Sequence, residues 1–330
     1  MTSFNAFRIH FDNSQHSAGV EELLLAPPDK GEVLIRVQYS SINYKDALAG
    51  TGKGKILRHF PLTGGIDAAG EVAESNDRRF KEGDPVIVTG YELSATSDGG
   101  YAEYLRVPAD WVIPLPEGLT LAQSMGLGTA GFTAALALHR MEINGQRPDM
   151  GPILVTGATG GVGCLAVNIF DGEGFDVHAV TGKQEQHAFL QHLGAQEILG
   201  REQITSSHHA LERALWGGAV DSVGGEMLSS IACKIKPWGN IASIGLAGGH
   251  VLNTTVMPFI LRGVSLLGID SASAPYDIRM EIWQRLATDL KPRHLDDIVQ
   301  QSVSLEQLPD TFERMLTGEI HGRTLVEIQE

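Results

Sequence analysis

The sequence predicts an α/β protein, a doubly wound parallel sheet joined to a β-rich part, and three observations predict it. The first is a set of six short apolar runs between residues 153 and 269, separated by helix-length amphipathic stretches. Strands of a parallel sheet are buried on both faces, so they read as continuous apolar runs. The second is a series of alternating segments and glycine pairs before about residue 120, the mark of half-buried strands joined by turns. The third is length, since 330 residues suit about two domains of roughly 150 residues each.

The elements follow in order. Residues 32–39 (EVLIRVQY), 84–89 (DPVIVT) and 102–107 (AEYLRV) alternate polar and apolar positions and read as strands, with Gly64-Gly65 and Gly99-Gly100 as punctuation. Residues 111–116 (WVIPLP) carry two prolines and suit an irregular edge. Thr120 is placed to cap the helix that begins LAQSMGLGTAGFTAALALH. The six parallel strands are expected at 153–157, 177–182, 197–200, 220–224, 241–245 and 265–269. After residue 300 come a helix, a turn and a final strand at 324–328. A lone terminal strand needs a host sheet, so the chain is expected to cross back to the first domain. The expected division is 1–122 for the first domain, 123–298 for the second, and 299–330 for the return.

A hydrophobic content of 42% supplies a core for each half. The net charge of −15 repels phosphate backbones and anionic lipid, which argues against nucleic-acid and membrane partners. An anionic ligand must therefore be held by local groups. The two cysteines, Cys164 and Cys233, have no metal spacing and leave no room for a disulfide framework or a four-cysteine zinc lobe. The N-terminal MTSFNAFRIHF lacks the basic start and apolar run of a signal peptide, and no apolar stretch of ~18–20 residues is expected. A cytoplasmic protein is expected.

The most informative motif is ILVTGATGGVG at 153–163, with Gly157, Gly160 and Gly163 at G-x-x-G-x-x-G spacing. A strand precedes it and an amphipathic stretch follows. Gly157 permits the tight turn. Thr159, Gly160, Gly161 and Val162 bring backbone to a pyrophosphate, and Gly163 permits close helix–strand packing. The phosphates then meet free N–H groups at a helix N-terminus. The next strand ends Thr181-Gly182-Lys183, where an NAD enzyme usually places an acid on the ribose 2′-hydroxyl. No acid stands there. A hydroxyl and an ammonium suit a 2′-phosphate, and Arg201 after the third strand is placed to close the same pocket. The expected cofactor is NADPH.

SSINYKDALAGTGKG, PLTGGIDAAGEV, KEGDPVIVTG, GTAGFTAALAL, the ATGGVG turn, GLAGG with TTVMPFILRGVSLLGIDS, and the terminal HGRTLVEI run the length of the chain. In these blocks the chain resembles the medium-chain dehydrogenase/reductase superfamily, and within it the zinc-free acryloyl-CoA reductase group, also labelled quinone oxidoreductase. The resemblance implies a GroES-like catalytic domain beside a Rossmann cofactor domain, a cleft between them, and a homodimer. It also implies cofactor contacts at Tyr44, Leu246, Ile260 and Ser271. Zinc-dependent members carry Gly-His-Glu where this chain has Gly65-Ile66-Asp67, so no metal is expected; Asp67 is read as a structural hydrogen-bond acceptor.

Without a metal, hydride transfer suits acceptors that are already conjugated, such as an enoyl thioester or a quinone. The developing enolate needs hydrogen-bond donors and a proton. Asn43 and Tyr44 follow the 32–39 strand and are catalytic candidates; Asn43 is equally a turn residue and Tyr44 a core aromatic. Lys45 and Asp46 are read as a local pair or a helix start. Arg323, before the last strand, is a third candidate for polarising a thioester or holding cofactor, with a surface arginine as the plain alternative. Lys53, Lys55 and Arg58 form a basic cluster in an acidic protein, suited to the phosphates of coenzyme A or to an ordinary solvated loop. The twelve histidines show no metal pattern, and His208-His209 reads as solvent-facing loop. The expected reaction is reduction of acryloyl-CoA to propanoyl-CoA, with quinone reduction as the alternative and nucleotide sensing without turnover as a third reading.

Overall fold

The computed structural model describes residues 2–12, 15–205 and 209–328; the reading for His208 lies outside them. The chain forms two compact units. One comprises Met1–Thr129, Ala272–Ala287 and Leu295–Glu330, the other Ala130–Ser271 and Thr288–His294.

In the first unit the alternating segment extends to Glu32–Ser41. It is the sheet's centre: Asp67–Ser75, Tyr104–Pro108 and Arg323–Glu327 all pair antiparallel with it. Pro85–Thr89 and the short, proline-bounded Ile113–Pro114 extend the sheet on one side. The C-terminal strand joins as the sequence required, with Leu325 opposite Ser41. One further strand, Val299–Val303, runs parallel to it. Its sequence, VQQSV, has too few apolar positions to announce a strand. A second sheet, also not anticipated, is the hairpin Ser3–Asp12 and Gln15–Leu24 with Leu62–Thr63. Its outer strand buries no side chain fully, so it lacks the apolar alternation that marks a strand. Two apolar clusters fill the unit. One centres on Phe7, Tyr101 and Phe312, the other on Val33, Ile35, Val37 and Val88.

The helix Tyr276–Ala287 packs with this first unit. Its Arg279 is completely buried and stacks over the Tyr91 ring at 4.3 Å, which in turn stacks on Trp111 at 5.3 Å. Arg279 Nη1 donates to the Thr89 carbonyl and hydroxyl, and Nη2 to the Ala272 carbonyl. A charge can be buried because those acceptors and the ring face replace its water.

Thr120 caps the long helix Leu121–Ile143: its hydroxyl accepts the Gln123 N–H, and its own N–H donates to Gln123 Oε1. At 23 residues, with a mean hydropathy of 1.2, this helix meets the length and composition of a membrane span. That corrects the sequence expectation of no such stretch, because glycine, serine and threonine interrupt the apolar run and mask its length. Of that apolar window 78% is buried inside the protein, so core packing accounts for its composition.

The second unit is a six-stranded parallel sheet in the order Ala195–Leu199, Val177–Val180, Ile153–Thr156, Trp216–Asp221, Ile235–Ser243, Ser265–Gly268. All six expected strands are present. The fourth and fifth begin earlier than expected because Gly217-Gly218 and Pro237 dilute their apolar signal. The strand order reverses between Ile153–Thr156 and Trp216–Asp221. In an open sheet of this kind the crevice at the carboxyl ends of those two strands takes the ligand.

Candidate active site

In the first unit, the end of Glu32–Ser41 leads into the short helix Tyr44–Gly50, with Asn43 at its N-cap. The Asn43 N–H donates to Asp46 Oδ2 at 2.9 Å, as in a capping box. Asp46 is therefore the helix start that the sequence offered. No Lys45–Asp46 ion pair occurs among the described residues. Asn43 Nδ2 donates both to Asp46 Oδ2 (3.1 Å) and to Asp67 Oδ2 (2.7 Å), while its Oδ1 accepts from Arg323 Nη1 (3.2 Å).

Asp67 is the hub. Its carboxylate also accepts the Ser41 hydroxyl at 2.7 Å, the Thr129 N–H at 3.0 and 3.1 Å, and the Thr129 hydroxyl at 2.5 Å. Arg323, 2% exposed, donates through Nη2 to Ser41 Oγ (2.7 Å), through Nη1 to the Ile42 carbonyl (3.0 Å) and through Nε to the Gly126 carbonyl (3.1 Å). These last contacts have a local cause. The long helix breaks at Gly128, whose φ of 52° and ψ of −156° are not helical. Such a break orphans carbonyls before it and N–H groups after it. Arg323 covers the Gly126 carbonyl, and Asp67 caps the restarting helix at Thr129.

Burial raises the Asp46 carboxyl from 3.8 to about 7, and the Asp67 charge adds to the effect. Its other oxygen accepts the Ile66 N–H at 3.0 Å. With Asp46 protonated, the cluster contains one anion, Asp67, and one cation, Arg323. Burial likewise pushes the Tyr101 phenol well up, and its hydroxyl donates to the Ser41 carbonyl at 3.1 Å.

The candidates separate accordingly. Asn43, Asp67 and Arg323 come together, enclosed and committed to one another. Tyr44, at the first turn of the helix they hold, is 50% exposed. Lys53, Lys55 and Arg58 are all exposed; Lys53 pairs with Glu313 at 2.6 Å and Arg58 with Glu92 at 4.0 Å. Sequence reasoning misses Ser41, Thr129 and Gly128. The signal for Gly128 is present, a glycine inside an otherwise apolar helix, but its neighbours in space are distant in the chain.

In the second unit the glycine-rich turn links Ile153–Thr156 to the helix Gly161–Gly172. Gly157 has φ 60°. A Cβ on Gly163 would lie 2.2 Å from the Gly157 carbonyl oxygen, so the turn closes only around glycine. No side chain caps this helix at Gly160, which leaves the first-turn N–H groups open to an anion. Thr159 is nearly buried, and Gly160, Gly161 and Val162 line the exposed edge of the turn. Thr181 is buried, its hydroxyl accepting the Lys183 N–H at 3.1 Å, and Lys183 is half-buried. Arg201 follows the adjacent strand, since Val180 pairs with Leu199. The cradle fits a dinucleotide pyrophosphate, and the basic residues beyond it fit a further phosphate. Leu246 and Ile260 are 66% and 70% exposed, and Ser271 is half-buried.

A zinc ion does not fit at Asp67. Its carboxylate is saturated by amide, hydroxyl and backbone donors beside a guanidinium, a donor set that opposes a cation.

Residues 29–117 match the alcohol dehydrogenase GroES-like domain, and residues 161–288 match the zinc-binding dehydrogenase family. The chain is 49% identical to a Bacillus subtilis protein described as "Putative quinone oxidoreductase YhfP", over 99% of both chains. The crystal structure of that relative with NAD bound superposes with a TM-score of 0.95, covering 99% of this chain and 100% of the other. It is 43% identical to the acrylyl-CoA reductase AcuI of Ruegeria pomeroyi, over 98% of this chain and 99% of that one. The yhdH oxidoreductase of Salmonella enterica in complex with NADP matches at TM-score 0.95 and 42% identity, over 98% of this chain and 100% of the other. Together with the Rossmann strand order and the glycine cradle, these matches show that the chain belongs to the medium-chain dehydrogenase/reductase family, in the group that includes acrylyl-CoA reductase AcuI and YhfP.

Proposed function

We propose that this chain is an NADPH-dependent reductase that converts the C=C bond of acryloyl-CoA to propanoyl-CoA. The observation that carries the reading is the saturated Asp67 cluster. With the metal position filled by hydrogen bonds, nothing there polarises a simple alcohol or ketone, so activation must reside in the substrate's own conjugation. The two relatives named for acrylyl-CoA and quinone reduction both handle such acceptors by name.

NADPH, when bound, supplies a hydride. Residues Gly157, Thr159, Gly160, Gly161, Val162 and Gly163 would hold the pyrophosphate, Thr181, Gly182, Lys183 and Arg201 would hold the 2′-phosphate, and Leu246, Ile260 and Ser271 would support the remainder. The new C–H bond forms at the β-carbon as the π bond breaks, and charge gathers on the thioester oxygen. The exposed Tyr44 hydroxyl is the donor we assign to that oxygen, and a proton at the α-carbon completes the product. Asn43 and Arg323, enclosed in the cluster, are positioning residues that fix the helix carrying Tyr44. Lys53, Lys55 and Arg58 receive coenzyme A phosphates. Their exposed ion pairs are worth ~0–1 kcal/mol and yield readily to a phosphate. The enzyme works as a homodimer in the cytoplasm; two buried cysteines that form no disulfide suit a reducing compartment.

The test is NADPH oxidation with acryloyl-CoA, run beside a simple quinone and free acrylate. Turnover with acryloyl-CoA alone supports the reading. Turnover with quinone alone moves the function to the second reading, which the YhfP likeness favours. Binding without consumption of NADPH on any acceptor indicates nucleotide sensing. Because one relative was solved with NAD and another with NADP, Lys183 is decisive. Lys183→Ala is expected to raise the Michaelis constant for NADPH about tenfold and leave NADH nearly unchanged. Equal effects would remove the 2′-phosphate assignment.

A further inference from the structure

Asp221 ends the fourth strand of the parallel sheet, beside the reversal point of the strand order, and is completely buried. Such a carboxylate is an unexpected neighbour for a pyrophosphate. Its hydrogen bonds account for it. Oδ1 accepts the Thr156 hydroxyl at 2.6 Å, and Thr156 immediately precedes Gly157 of the phosphate turn. Oδ2 accepts the Gly224 N–H at 2.8 Å. The Thr156 hydroxyl in turn accepts the Ser222 N–H at 3.1 Å. The Asp221 carbonyl accepts the Ile244 N–H at 2.8 Å, where the GLAGG loop begins.

The loops held this way approach closely, and a Cβ on Gly248 would lie 2.8 Å from Val223 Cγ1. The Gly248 N–H donates to the Val223 carbonyl at 2.7 Å. A Cβ on Gly224 would lie 2.5 Å from the Gly249 carbonyl oxygen, and one on Gly245 would lie 2.4 Å from that of Ser222. Gly224 and Gly225 have φ of 72° and 56°. Gly224, Gly225, Gly245, Gly248 and Gly249 carry no side chains that could lock these turns; the Asp221 carboxylate ties the Thr156 hydroxyl to the 222–225 turn, and its carbonyl holds the start of the 244–249 loop.

We infer that Asp221 is a positioning residue for NADPH, tying the phosphate turn, the 222–225 turn and the 244–249 loop into one preformed rim. The inference rests on the reading of this unit as the NADPH-binding one. An amide at this position would either set a donor against the Gly224 N–H or take away the acceptor of the Thr156 hydroxyl, and so loosen one tie. Preformed loops lower the cost of ordering on binding, so loss of the tie falls on cofactor affinity.

NADPH is titrated into the full-length protein, followed by its own fluorescence. Asp221→Asn is expected to raise the dissociation constant about tenfold or more, with the Michaelis constant for acryloyl-CoA unchanged. Thr156→Val, nearly isosteric, is expected to act in the same direction and covers the case in which Asp221→Asn does not fold. Asn240→Ala is the control, because it removes the side-chain hydrogen bonds of Asn240 with Gln146 and Asn144, away from the crevice. It is expected to lower the melting temperature and spare NADPH affinity. Unchanged affinity in both crevice variants overturns the inference, as does an equal loss in Asn240→Ala. Absence of NADPH binding by the wild type overturns the cofactor reading and takes this inference with it.

Discussion

Asp46 shows how one side chain can make the helix Tyr44–Gly50 sensitive to pH. Folded, it holds its proton up to about pH 7; unfolded, it releases it near 3.8. The folded pKa is the higher one, so its stabilising contribution is complete below the unfolded value and is lost as pH rises through about 7. Each tenfold change in proton affinity corresponds to about 1.4 kcal/mol, so the loss is on the order of a few kcal/mol. Asp46→Asn cannot titrate. Thermal melts between about pH 5 and about pH 8 should therefore fall more steeply for the wild type than for this variant. Parallel curves would mean that Asp46 is ionised in the fold and that the Asp67–Arg323 cluster carries a second negative charge.

Among elements, the broken helix Leu121–Ile143 matters most. A methyl on Gly128 would sit 2.6 Å from Ser41 Oγ, 2.7 Å from Asp67 Oδ2 and 2.8 Å from Arg323 Nη2, at a backbone angle that L residues avoid. Gly128→Ala is expected to cost at least ~2 kcal/mol in urea unfolding and to lower turnover with it. A neutral outcome would show that the cluster tolerates displacement. The helix itself is legible in the sequence, with Thr120 as its cap, because capping and apolar content are local signals. So are the six parallel strands and the glycine-rich turn. The break is not, because what stabilises it comes from Ser41, Asp67 and Arg323, and chain spacing carries no trace of that meeting. The N-terminal hairpin stays hidden for the opposite reason: its outer strand packs too little apolar surface to leave a pattern. Asp67 is legible as a hydrogen-bond acceptor; which donors saturate it, and its role in capping a helix, needed the fold.

At the scale of the whole molecule, the strand Ser265–Gly268 closes one edge of the parallel sheet, and among the described residues no further strand pairs with its outer side. Unprotected edges invite pairing, and a two-fold contact here would join two sheets into one. Light scattering of the wild type should give a dimer. Leu266→Lys, which places a charge on a side chain already 37% exposed, should shift it toward monomer. A monomeric wild type would dismiss the pairing. The Asp67 cluster carries a last consequence, for metal binding. Placing histidine at Ile66 would not create a zinc site, since Asp67 would still be sequestered by Ser41, Asn43 and Thr129 beside a buried guanidinium. Removing Arg323 first would strand a buried anion and cost ~3–5 kcal/mol. A cation offered to this cluster would therefore compete with a full set of hydrogen-bond donors at every step.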